Sequence, residues 1–140
     1  YRRFAIIRLA ELYLNYAEAL NEAEGPTAEV YNAVNKIRRR AQLLDLPANL
    51  TKDEMRNKIR QERRVELAFE NHRFWDVRRW KIAEIVDNKK VHKITVNADG
   101  TYSYPVFQNR VFDKAKHYLF PIPQSEIDKN RNLVQNPGWN

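Results

Sequence analysis

Residues 4–41 read FAIIRLAELYLNYAEALNEAEGPTAEVYNAVNKIRRRA, and the periodicity of this stretch decides the fold. Ile6, Leu9, Tyr13, Tyr16 and Leu20 recur at spacings of three and four, which predicts a helix over 4–24. Ala5, Leu12, Ala19 and Ala23 widen the stripe, while Ile7 and Leu14 add a second apolar face. A helix apolar on more than one side packs between neighbours. Gly25 supplies a positive-φ stop and Pro26 cannot continue the helix. Thr27 is a suitable cap for a second helix, whose stripe is Val30, Val34, Ile37 and Ala41. Two helices joined by so short a turn must lie antiparallel, so 4–41 is expected to be a helical hairpin.

That hairpin has about the length of one tetratricopeptide unit and carries Ala and Tyr at close-contact positions, so it resembles that repeat. Outward from it, residues 43–50, with Pro47, read as a loop. Thr51 and Glu54 form a capping-box pattern that opens a third helix, expected to run to about Asn71. A shorter fourth helix covers about 73–86, so 51–86 is a charge-laced helical region. Residues 91–107 then change character. Val91 to Val96 and Tyr102 to Phe107 flank Asn97-Ala98-Asp99-Gly100, a β-hairpin signal. Tyr118 to Pro123 is extended because Pro121 and Pro123 forbid helix. A short helix at 124–130 and an irregular tail follow, making 118–140 a proline-fixed end. The expected fold is mainly α, in one domain, with a β-hairpin insertion.

Length and composition narrow the function classes. At 140 residues, 43% apolar and 31% charged, the chain can own a core. It holds no run of 18 apolar residues and no signal-peptide pattern. The absence of cysteine excludes a disulfide framework, a thiolate metal site and a cysteine nucleophile. Tyr1 stands where an initiator Met would, and we expect a C-terminal piece of a longer protein. The net charge of +7 is concentrated: residues 36–93 hold 17 Lys/Arg against 9 Asp/Glu. Arg38-Arg39-Arg40, with Arg56, Lys58 and Arg60, carries a nucleic-acid reading. Three successive helical positions sweep about 200°, however, so they cannot share one groove. The competing reading is a set of Arg–Glu pairs between helices.

Little here supports catalysis. His72, His92 and His117 lack metal-ligand spacing, and Ser103 and Ser125 lie in no nucleophile elbow. Glu62, Glu66 and Glu70 form an i, i+4 ladder, but Arg60, Arg63, Arg64 and Arg73 stand close in sequence. A neighbouring guanidinium lowers a carboxylate pKa and disfavours an acid role. The stretch 62–80, ERRVELAFENHRFWDVRRW, is therefore read as a structural Arg–Glu network. Its apolar members Val65, Phe69, Trp75, Val77 and Trp80 are laced with charge, and Trp75 and Trp80 are expected to pack, as is Trp139. Tyr102 and Tyr104 would share one face of a strand and are the candidate glycan-stacking pair. Most strand aromatics pack against something, so we expect that face to cover the helices.

Three segments together resemble the SusD/RagB family: 7–21 with 31–41, then 62–80, then 118–139 (YLFPIPQSEIDKNRNLVQNPGW). Arg131 departs from the pattern, where a proline is expected. The resemblance implies tetratricopeptide-like helical pairs in a nutrient-binding lipoprotein on the outer surface of Bacteroidota, anchored through an upstream lipidated cysteine. It implies an oligosaccharide or peptide ligand, transfer to a SusC-like TonB-dependent transporter, no cofactor and no hydrolysis. The matching residues, Glu62, Arg63, Arg64, Glu70, Arg73, Asp76, Trp80, Pro121, Pro123, Asn136, Pro137 and Gly138, look like a signature of the fold. A nucleic-acid-binding domain and a tetratricopeptide-like protein-interaction module are the alternatives.

Overall fold

Gly25, at φ 88°, follows the first helix and donates its backbone N–H to the carbonyl of Asn21, and three residues later a second helix begins. In the computed structural model, which describes residues 7–139, these helices are α1 (Leu9–Glu24) and α2 (Ala28–Arg40), followed by α3 (Lys52–Glu66). The fold is mainly helical, as expected. α1 begins at Leu9 rather than at residue 4, because Arg8 has extended backbone (φ −135°, ψ 157°). Ala5 and Ile6 lie outside the described residues.

The chain divides into two compact units, Tyr1–Arg73 and Phe74–Asn140. In the first, α1 packs against both α2 and α3. The core consists of Ala17, Val30, Ala33, Val34, Leu46, Met55 and Ile59, beside a smaller group of Leu14, Ile37 and Leu67. Buried polar groups tie down the 43–50 loop: Asn35 Oδ1 accepts from the Leu46 N–H at 3.0 Å, and the Tyr31 hydroxyl accepts from the Leu50 N–H at 2.9 Å. Asn21 donates to the Lys52 carbonyl at the start of α3 (3.1 Å). Thr51 closes the expected capping box with Glu54. Thr27 precedes α2 as expected, but its side chain makes no capping bond.

α3 ends at Glu66, five residues short of the expected end. Phe69 and Asn71 both sit at φ 65°, a left-handed geometry no helix can propagate. The expected fourth helix is likewise two, α4 (His72–Arg79) and α5 (Ala83–Val86), parted by Lys81 at φ 53°. Trp75, expected to pack, is instead exposed, and Val65 and Phe69 are exposed as well. Val65 and Phe69 flank the end of α3, where the chain has left the helical stripe.

In the second unit, Val77, Ala83 and Phe112 are buried, with Ile82, Val86 and Tyr118 against them. Asn88 holds the Phe112 segment by accepting from its N–H at 2.5 Å and donating to its carbonyl at 3.0 Å. The hairpin forms, but as two short ladders. β1 (Lys90–His92) pairs with β4 (Val106–Asn109), and β2 (Thr95–Val96) pairs with β3 (Tyr102–Ser103), all antiparallel. Pro105 has no N–H to offer a ladder, so the strands divide there, and within the β1–β4 ladder the register shifts between Val91 and His92. The turn at 97–100 closes as predicted, with Gly100 at φ 80° and Asp99 accepting from the Thr101 N–H at 3.0 Å.

The proline-fixed end is held by side chains rather than by a strand. Gln135 bonds both backbone groups of Ile122, at 2.8 and 2.9 Å. Asn136 donates to the Phe120 carbonyl (2.6 Å), and the Trp139 indole N–H donates to the carbonyls of Leu119 (3.1 Å) and Lys116 (3.2 Å). Pro123 introduces α6 (Gln124–Lys129). Arg131 is exposed just beyond it, so the departure from the family pattern disturbs no packed position.

Candidate functional site

The carboxylate ladder is the first candidate for chemistry, and its geometry makes it structural. Glu62 and Glu66 lie on α3, and Glu70 lies beyond the helix end. Each is bound by an arginine distant in sequence. Arg38 Nη1 reaches Glu62 Oε2 at 2.8 Å. Arg40 Nη2 contacts both Glu66 oxygens at 2.7 Å. Arg8 spans the pair, with Nε on Glu70 at 2.8 and 3.0 Å and Nη1 on Glu66 at 2.5 Å. The hydrogen bond from Arg8 holds the Glu70 carboxyl below its ordinary range, opposite to what an acid catalyst requires.

The network is therefore present, and arginines from far along the chain hold its carboxylates. Arg63, only 3% exposed, turns toward α1, donating to Asn15 Oδ1 at 2.6 Å with Glu18 at 3.9 Å. Arg64 is exposed, with no ion-pair partner among the described residues, and Arg73 is half-buried. Asp76, buried in α4, accepts from Arg79 at 2.8–2.9 Å. Arg8 was missed because it stands alone at the edge of the first helical stripe. The only signal for it was an unpaired cation one turn from a helix start.

The basic run is neutralised the same way. Arg39 forks onto Asp45 and holds its carboxyl below the usual range, and Arg56 binds Glu22 at 2.5 and 2.6 Å and also meets Asp53. With Arg38 and Arg40 on Glu62 and Glu66, all three residues of the triplet are engaged within the fold. A phosphate backbone would have to displace these carboxylates first.

What remains open to a ligand is aromatic. Tyr102 in β3 and Tyr104 in the break before β4 are both 62% exposed, so the expectation that this face covers helices is corrected. Phe107 falls in the register shift, since His92 pairs with Val106 and Val91 with Gln108. A second aromatic surface escaped the sequence reading. In the second unit, an open groove of about 480 Å³ is lined by Trp75, Arg78, Arg79, Lys81, Tyr118, Leu119 and Phe120. Trp75 is 60% exposed. Phe74 stacks with Phe120 at 5.9 Å and carries the Arg78 guanidinium on its face at 3.5 Å. Trp139 is half-buried beside His117, near the expected packing role.

Comparison with known proteins places this arrangement. A family model described as the SusD family matches residues 2–139. SusD-like protein P2 of Formosa agariphila is 36% identical over 95% of this chain, which spans 25% of that protein. A SusD-like protein of Bacteroides fragilis, solved by crystallography, superposes on 97% of this chain with a TM-score of 0.88 at 38% identity, again over 26% of its own length. A SusD homolog of Bacteroides thetaiotaomicron aligns over 95% of this chain and 26% of its own, with a TM-score of 0.72 at 34% identity. The chain thus spans about a quarter of the length of the curated relatives it matches.

Proposed function

The chain belongs to the SusD family, and from that premise we propose that it serves a cell-surface nutrient-binding protein that captures oligosaccharide and passes it to a SusC-like, TonB-dependent transporter in the outer membrane. Its share is a rack of helices plus an aromatic surface, with no bond made or broken. The observation that carries this reading is the family match across residues 2–139. Two features agree with it. The carboxylates of Glu62, Glu66 and Glu70 are committed to arginines, and Tyr102 and Tyr104 are exposed. Sugar rings stack their C–H faces on such aromatics, while hydroxyl groups take hydrogen bonds from the surroundings.

Titration calorimetry of the protein against a panel of neutral and acidic oligosaccharides tests the ligand. We expect saturable binding by at least one member. Tyr102→Ala and Tyr104→Ala should each weaken it roughly threefold to tenfold, the worth of one aromatic contact of about 0.5–1.5 kcal/mol. Unchanged affinity in both variants removes the tyrosines from the site, and no binding across the panel removes the glycan reading. Affinity purification from solubilised outer membranes tests the partner. The expected companion is a TonB-dependent barrel, and its absence excludes the transfer step.

A further inference from the structure

In the first unit Arg8, Arg38, Arg39, Arg40 and Arg56 each hold a carboxylate. The aromatic groove of the second unit is built differently. Its lining holds three cations, Arg78, Arg79 and Lys81, and no acidic side chain. Arg79 is taken by Asp76 at 2.8 Å. The other two rest on rings. The Arg78 guanidinium lies 3.5 Å from the centre of Phe74, and Lys81 Nζ lies 4.3 Å from that of Tyr118. Among the described residues neither has an ion-pair partner, and the one hydrogen bond Arg78 makes runs from Nη1 to the Phe74 carbonyl at 3.0 Å. Glu84, beside the groove, accepts instead from the Tyr118 hydroxyl. A ring face orients a cation without neutralising it, and leaves N–H donors for a ligand. Lys81 also holds φ 53°, a backbone geometry that glycine would adopt more easily.

We propose that this groove binds acidic sugar, a ring carrying a carboxylate or a sulfate ester. The inference rests on the glycan reading above and adds the charge of the ligand and the place where that charge is met. Trp75 and Phe120, both exposed, supply apolar surface for the C–H face of the ring. The Arg78 fork and the Lys81 ammonium receive the anion, one by directed N–H bonds and the other as a point charge. The volume of about 480 Å³ falls within the range of small-molecule sites. A neutral sugar seated here would cover two cations without replacing the water it removes from them. That cost is what discriminates against it.

The test uses the complete polypeptide that contains this sequence. Calorimetry compares three acidic probes with their neutral forms. Tetragalacturonate and tetramannuronate carry carboxylates and are neutralised by methyl esterification; a carrageenan tetrasaccharide carries sulfate and is neutralised by desulfation. At least one acidic probe should bind about tenfold or more tightly than its neutral form at low salt, and which one does so separates carboxylate from sulfate. Arg78→Gln and Lys81→Gln should each weaken that probe by about fivefold or more while leaving the neutral form within about twofold. Lys81 is exposed, so its variant decides the matter if Arg78→Gln disturbs the fold. Hydroxyl-radical footprinting should label Trp75 in the free protein and show it protected by the saturating acidic probe. Equal affinity for acidic and neutral forms, or acidic binding that survives the substitutions, overturns the proposal and leaves the glycan reading standing. Trp75 shielded before any sugar is added overturns it too, because polypeptide then fills the groove. Silence from every probe, neutral forms included, removes the glycan reading along with it.

Discussion

Arg8 is the single side chain on which the helix network of the first unit most depends. It bonds Glu66 and Glu70 together, and the Glu66 carboxylate is only 10% exposed. Arg8→Ala should therefore cost about 2 kcal/mol in a urea melt. That is less than the ~3–5 kcal/mol of a fully buried pair, because the Arg8 guanidinium still meets solvent. Glu70 predicts a pH effect. Arg8 lowers its carboxyl in the folded state below the ordinary 4.5, so the unfolded chain binds that proton more readily. The stabilisation is complete above about pH 4.5 and is lost as pH falls through the folded value. The stability gap between the parent and Glu70→Gln should be largest near pH 7 and close toward pH 3; a gap that widens in acid would contradict the pairing. Gly138 is a third residue whose identity is forced. It sits at φ 78°, and a Cβ added there would lie 2.9 Å from Lys116 Cβ. Gly138→Ala should lower the stability read in a urea melt by about 1–2 kcal/mol through strain and overlap.

At the scale of the element, two threonines that look alike in sequence diverge. Thr51 accepts from the Glu54 N–H, and the Glu54 carboxylate returns the bond to the Thr51 N–H at 2.8 Å. Thr27 makes no such bond, and its hydroxyl is buried without a partner among the described residues. Thr51→Ala should cost about 1 kcal/mol, whereas Thr27→Ala should cost a few tenths or less. Paired thermal melts check both, and equal losses would mean the two caps work alike. Both threonines precede an apolar-periodic run, but the sequence already distinguished them. What separates them is that Glu54 stands three residues after Thr51, while Val30 stands three after Thr27. The helix breaks at Phe69, Asn71 and Lys81, by contrast, were hidden, because none is Gly or Pro.

For the whole molecule, the net charge of +7 points toward nucleic acid until the pairing is seen. Arg38, Arg39, Arg40 and Arg56 each hold a carboxylate. Binding to a duplex would exchange these contacts for phosphates rather than add new ones. A gel shift with duplex DNA at 50 mM salt is therefore expected to show no complex. A complex that dissolves steeply with added salt would restore the nucleic-acid reading.

Periodicity, caps and turn chemistry were legible in the chain because they act over three or four residues. The helices from Leu9 to Glu66 and the Asn97–Gly100 turn follow from contacts of that range. The partners of the glutamates were not legible. Arg8 lies 58 residues from Glu66 and Arg40 lies 26, and a charge pair at such separation leaves no local pattern, since any of several arginines satisfies the same arithmetic. The open faces of Trp75, Tyr102 and Tyr104 were hidden for a related reason. An aromatic ring reads the same in sequence whether it is covered or bare, and only the packing of distant segments distinguishes the two.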